Sequence, residues 1–223
     1  MNIIVEKKQL LKKYQVLLLK INREMNLISR HDEEVFWEKH VEDSLALGNF
    51  LNFGDNKKLI DLGSGGGLPG IPLAIYYPNL EVALLDSTQK KIKVLDGITK
   101  ELNLKNVKTV YGRIEEIAHQ KNFRGKFDLV TAKALAPLNV LLEYAMPFLE
   151  VGGVLISYKG PNFQQEIQDS VKALEILNSK ITNIYEYKLK NDLGSRAIVL
   201  VEKVADTDTK YPRKVGVPLK KPL

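Results

Sequence analysis

The chain has 223 residues, 44% of them hydrophobic and 27% charged, the balance of a soluble globular protein able to bury one sizeable core. It holds no cysteine and only three scattered histidines, His31, His40 and His119, which excludes disulfides and thiolate chemistry and gives no reason to expect a metal. Net charge is +6, with five basic against two acidic side chains in residues 205–223, a surplus suited to an anionic partner.

In chain order, Leu10, Tyr14, Leu17 and Ile21 recur at spacings of three and four, predicting an amphipathic helix from about Glu6 to Met25. Asp32 is the expected N-cap of a second helix running to about Leu51, with Glu33 and Glu34 in its first turn. Asn52 to Asn56 reads as a turn cluster. Short apolar runs follow at 58–61, 80–86, 107–111, 127–132 and 153–158. Their near-continuous hydrophobicity suits parallel strands covered on both faces. Helices are expected between them, most clearly Thr88–Leu102 with Ile92, Leu95 and Leu102 inward. Runs at 181–187 and 196–202, divided by the turn residues 191–195, predict a β-hairpin. The tail 210–223 has three prolines and is expected to lack regular structure. No run reaches the roughly 20 apolar residues of a membrane span, and MNIIVEKKQLLKKYQ lacks a secretory layout, so the cytoplasm is the expected compartment.

Five β/α units closed by a hairpin are the layout of a Rossmann-like α/β class I methyltransferase, with a mostly parallel seven-stranded sheet. The division expected is a helical extension (1–55), the α/β domain (56–204) and a basic tail (205–223). The densest signal is DLGSGGGLPG (61–70), directly after the first strand. Gly63, Gly65 and Gly67 permit a tight turn and close approach of a ligand to the backbone. In a dinucleotide site such a loop holds pyrophosphate, but Asp61 immediately before it would repel one. A carboxylate there attracts an ammonium, which S-adenosylmethionine carries beside its sulfonium. Asp86, at the end of the next strand, is placed to accept ribose hydroxyls and suits either cofactor. After the third strand, Gly112-Arg113-Ile114-Glu115-Glu116 alone reads as a solvated helix start. After the fourth, Ala132-Lys133-Ala134-Leu135-Ala136-Pro137 is not the Asn/Asp-Pro-Pro-aromatic loop used on exocyclic amines. With cysteine absent as well, an acceptor already nucleophilic at neutral pH remains, and guanine N7 qualifies.

The runs DLGSGGGLPGIPLA (61–74), LLDSTQKK (84–91), GRIEE (112–116) and YPRKVGVPLKKPL (211–223), with Met25–Ser29 and His40-x-x-Asp43-Ser44, resemble the ribosomal RNA small-subunit methyltransferase G family, also called glucose-inhibited division protein B. The likeness spans nearly the whole chain. It implies methylation of guanine N7 in the decoding region of 16S rRNA by an enzyme using S-adenosylmethionine, with naked RNA, a partial particle and the mature small ribosomal subunit all open as the substrate form; a monomer is expected. It also implies cofactor contacts at Gly63, Leu68, Ile114 and Glu115, and basic active-site or RNA-facing positions at Arg113, Lys133 and Arg196, Lys133 bordering the cofactor as well. Lys133 stands where the family usually has arginine, losing the planar fork. Lys159 is expected to meet a phosphate, and Arg213 and Lys214 in the tail to add phosphate contacts. His40, Asp43 and Ser44 share a helix face, either in contact with substrate or pinning the extension to the α/β domain. Two other classes stay open: a nicotinamide oxidoreductase, opposed by Asp61 and the hairpin, and a non-catalytic RNA-binding or assembly protein, which gives no reason for the acid–glycine–acid pattern.

Overall fold

The apolar runs become seven strands in the computed structural model, which describes residues 3–50 and 57–223. They are β1 Lys58–Leu62, β2 Glu81–Asp86, β3 Val107–Tyr111, β4 Phe127–Lys133, β5 Leu149–Lys159, β6 Ser179–Lys188 and β7 Ser195–Lys203. They form one sheet in the order β3-β2-β1-β4-β5-β7-β6. The first five are parallel, and β7 runs antiparallel to both β5 and β6. The β6–β7 turn uses Asn191, Asp192 and Gly194 at positive φ, a region that Asn, Asp and Gly tolerate best. The turn cluster expected at 52–56 and the expected end of the second helix at Leu51 lie outside the described residues.

Side chains alternate between the two faces of the sheet, as strand geometry requires. Leu59, Val82, Leu84, Ile156 and Ile198 join one buried cluster; Ile60, Leu62, Ala83, Leu85, Leu155 and Val199 join the other. Helices α1 Ile3–Asn22, α3 Gly70–Tyr76 and α4 Gln89–Glu101 cover the first face. The short α2, Asp43–Leu45, lies within a helical stretch that opens at Arg30–Asp32 and closes at Ala46–Asn49. The second face is covered by α6 Leu138–Ala145 and α8 Val171–Ile176, with α5 Ile114–Ile117, α7 Phe163–Gln168 and α9 Val217–Lys220 around its rim. No described helix is long and apolar enough to cross a membrane.

Three elements differ from the sequence expectation. The buried stripe of α1 is Leu11, Tyr14 and Leu18, ending in fully buried Asn22; Leu10, Leu17 and Ile21 flank it, partly buried. The rotation follows from two polar demands at the helix face. Tyr14 donates its hydroxyl to the Gly66 carbonyl at 2.8 Å, and Asn22 Oδ1 accepts the Leu27 and Ile28 N–H groups at 2.8 and 3.0 Å.

The second helix does not start at Asp32. That carboxylate is taken by the Lys39 ammonium at 2.5 Å, and the chain continues as a wide π-turn at Trp37–Glu42 before α2 and a tighter turn at Ala46–Asn49. The tail, expected to lack regular structure, forms the short helix α9 at Val217–Lys220 and is docked. Arg124 donates to the carbonyls of Thr207, Asp208 and Tyr211 at 2.8 to 3.0 Å, and Tyr211 is buried in the second core.

Candidate active site

In an open parallel sheet, ligands bind beyond the carboxyl ends of the strands, where the strand order reverses. Here the chain builds outward from β1 to β3 and returns to β4 on the other side, so the reversal lies between β1 and β4. Asp61 of β1 is in register with Thr131 of β4 at that point. The glycine loop leaves β1 there. Within 63–70 only Gly63 and Gly65 reach the surface. Gly65 has a φ of +57°, and a Cβ there would meet nothing nearer than the Gly63 carbonyl at 3.8 Å, so its backbone is open to an approaching ligand. Gly67 does a different job: a Cβ would strike Ile71 at 2.5 Å, so its bareness lets α3 pack against the loop. Leu68 is 9% exposed and faces the core rather than the cleft.

Asp86 borders the open part of the loop. Its Oδ2 accepts the Gly65 N–H at 3.0 Å and its Oδ1 the Thr88 N–H at 2.8 Å. Each carboxylate oxygen has a further lone pair, the acceptor set that a pair of ribose hydroxyls requires. The geometry thus fits an adenosine group: main chain that can be approached closely beside a carboxylate already oriented.

Asp61 lies deeper than the sequence reading implied. It is completely buried; Oδ1 accepts from the Thr131 hydroxyl at 2.8 Å, and Oδ2 from the Gly70 N–H at 3.3 Å at the start of α3. Burial pushes its carboxyl up to about 7, against the lowering effect of those bonds. The negative charge therefore sits beneath the loop, not on its surface.

Lys133, at the end of β4, is engaged from the helical extension. Its ammonium pairs with Asp43 Oδ2 at 2.5 Å and donates to the Lys39 carbonyl at 3.2 Å. Burial lowers its pKa, and Asp43 opposes that shift. Asp43 Oδ1 accepts the Tyr187 hydroxyl of β6 at 2.6 Å. Burial, and then the Asp43 charge, raise the tyrosine's pKa. Ser44 closes the cluster: its hydroxyl donates to the His40 carbonyl at 2.6 Å and its carbonyl accepts from Tyr158 at 2.7 Å. His40 is held near pKa 4, first by burial and then by the Lys133 charge. Neither of its ring nitrogens has a hydrogen bond among the described residues, Nε2 lying 3.4 Å from Asp32 Oδ2. The His40 face thus pins the extension to the strand ends. The next residue after Lys133, Ala134, has a φ of +54°, a strained backbone for a residue with a Cβ, and Leu135 then packs over Gly63.

Arg113 is exposed at the start of α5. Ile114 is half-buried beside it, and buried Glu115 accepts the tail's Gly216 N–H at 2.9 Å. Arg196 opens β7 opposite Tyr187, at the same sheet edge as Lys133, and donates to the neighbouring Ser195 carbonyl at 2.9 Å. Lys214 is exposed and lines a groove with Glu115, Glu116 and His119.

Two expected phosphate contacts are corrected. Lys159 has a side chain 5% exposed, paired with Glu166 at 2.7 Å and bonded to the Ala136 carbonyl at 2.8 Å, so it holds the loop after β4 to α7. Arg213 forms a two-point pair with Glu143, whose side chain is 1% exposed, so it anchors the tail. Sequence reasoning missed Tyr14, Thr131, Asp43's pairing and Tyr187. Only the polar tips of the two tyrosines within apolar patterns hinted at them.

Comparison with known proteins agrees with this arrangement. A family model described as rRNA small subunit methyltransferase G matches residues 7–199. A relative named ribosomal RNA small subunit methyltransferase G from Syntrophomonas wolfei is 42% identical, covering 95% of this chain and 98% of its own. A relative of the same name from Desulfitobacterium hafniense is 45% identical over 92% of this chain and 85% of its own. Among solved structures, TYW2 of M. jannaschii in complex with AdoMet shares the fold, with a TM-score of 0.56 at 18% identity, over 74% of this chain and 76% of that one. With the glycine loop, its flanking acids and most of both the extension and the sheet falling inside the matched span, the chain belongs to the rRNA small subunit methyltransferase G family.

Proposed function

We propose that this protein methylates N7 of a guanine in 16S rRNA. The observation that carries the reading is the pairing of the open Gly65 backbone with oriented Asp86 above buried Asp61, at the sheet's reversal point, in a chain of this family. When bound, S-adenosylmethionine supplies an electrophilic methyl group on a sulfonium. Asp86 accepts ribose hydroxyls, the Gly65 backbone admits the amino-acid end, and the Asp61 charge beneath the loop favours a cation above it. Ile114 and Glu115 flank the adenine side, with Gly216 holding the Glu115 carboxylate in place.

Guanine N7 has an in-plane lone pair and no proton to remove, so the chain needs no general base. Its work is placement, which is worth about 7–11 kcal/mol when reacting atoms are aligned at roughly 3–3.5 Å. Lys133 is neutralised by Asp43 and therefore borders the site without opposing the positive charge that appears on the product ring. Arg113, Arg196 and Lys214, which form no salt bridge among the described residues, are the cations that meet RNA phosphates.

The test is transfer of labelled methyl to ribosomal RNA from cells lacking this protein, followed by mapping of the modified atom. The expected product carries the label on one guanine N7 in the small-subunit RNA. Label on an exocyclic amine, on a pyrimidine carbon or on no ribosomal RNA contradicts the proposal.

A further inference from the structure

A second charged feature lies at the opposite end of the sheet. A groove of about 460 Å³ crosses the amino-terminal ends of β1, β2, β3 and β4, four neighbouring strands. Lys58, Lys105, Lys108 and Lys126 line it, all exposed, with Asn106 in its wall and Glu81 as its one acid. Among the described residues none of the four ammonium groups has a salt-bridge partner. The neighbouring Lys57, by contrast, is paired with Asp128 at 2.6 Å. Asn106 is fixed by donating its amide to the Ala74 and Leu80 carbonyls, so the wall between the lysines is rigid. Three strand spacings make the groove about 14 Å across, and the length of β1 places it roughly 17 Å from the glycine loop.

Four lysines lining one groove, without a salt-bridge partner among the described residues, are an electrostatic footprint for a phosphate backbone. We infer that this groove binds a second RNA segment, distinct from the one that presents the target base. The inference rests on the proposed RNA methyltransferase activity and deepens it. Recognition then extends through the thickness of the enzyme, and a folded RNA reaching both ends of the sheet is a better substrate than a short fragment carrying the target alone.

The variant Lys105→Gln/Lys108→Gln/Lys126→Gln changes three exposed side chains, Lys108 on the edge strand β3, and touches neither the buried core nor the cofactor loop. The expected result is a KM raised about 10-fold or more on the long, protein-free small-subunit RNA, with kcat unchanged. The salt dependence of RNA binding should flatten by about 0.7–0.9 in log–log slope for each lysine–phosphate pair removed. A short hairpin bearing the target guanine should be methylated equally by both proteins. Equal KM and equal salt slopes on the long RNA overturn the proposal. Weaker binding to the ribonucleoprotein particle, with unchanged binding to protein-free RNA, also overturns it and assigns the groove to a protein. A wild-type enzyme that methylates no rRNA defeats the functional reading itself, whereas a wild type that methylates alongside an indistinguishable variant defeats only the groove.

Discussion

Asp61 sits in the core with its carboxyl pushed up from 3.8 to about 7, so between those values the folded chain holds a proton that the unfolded chain has released. Stability is therefore greatest below about pH 4 as far as this group is concerned, and is lost as pH rises through about 7. Asp61→Asn should gain melting temperature relative to wild type as pH rises from about 4 to about 7, and hold a constant advantage above that. A pH-independent difference in calorimetric scans would remove the buried-carboxylate explanation. Tyr14 illustrates what single residues conceal. Its place in an apolar periodicity was legible, but its hydroxyl reaches Gly66, 52 positions away, and no local pattern encodes that. Tyr14→Phe leaves a buried carbonyl without its donor and should cost about 1 kcal/mol. Affinity for S-adenosylmethionine should fall severalfold with it, because the loop loses its buttress. Unchanged affinity by titration calorimetry would assign Tyr14 to packing alone.

At the scale of elements, the wide turn at Trp37–Glu42 and α2 bring Asp43 to the ends of β4 and β6, where it joins Lys133 and Tyr187. Removing one partner of a buried pair leaves a charge without compensation, at a cost of about 3–5 kcal/mol. Asp43→Ala should lower the urea midpoint accordingly, and Asp43→Leu/Lys133→Met should recover most of the loss. Additive losses in the double variant would show that the two side chains do not form a unit. The tail repeats the logic, since Glu143 is buried and Arg213 is its cation. Arg213→Ala should destabilise the fold, and Glu143→Gln in that background should restore part of the melting temperature, whereas no recovery would mean the tail docks by other means. Strand positions were readable because buried parallel strands write continuous apolar runs. The irregular helix, the docked tail and the engagement of Lys159 were not, because each is decided by a charge partner supplied from another element.

For the molecule as a whole, the sheet gathers residues from the ends of successive strands: Gly63 and Gly65 after β1, Asp86 at β2, Arg113 to Glu115 after β3, Lys133 at β4 and Arg196 at β7. The order and type of elements were legible in sequence, and so was the acid–glycine–acid signature. The depth of Asp61 was not, because spacing along the chain fixes which strand end a residue occupies but not which side of a loop it faces. If this edge of the sheet holds a cationic adenosine donor, titration calorimetry of the wild-type chain with S-adenosylmethionine, and separately with NADH, will tell the two cofactor chemistries apart. Saturable binding of the first at one site, lost in Asp86→Ala, and no binding of the second is the expected result. Binding of NADH with no heat from S-adenosylmethionine would contradict it.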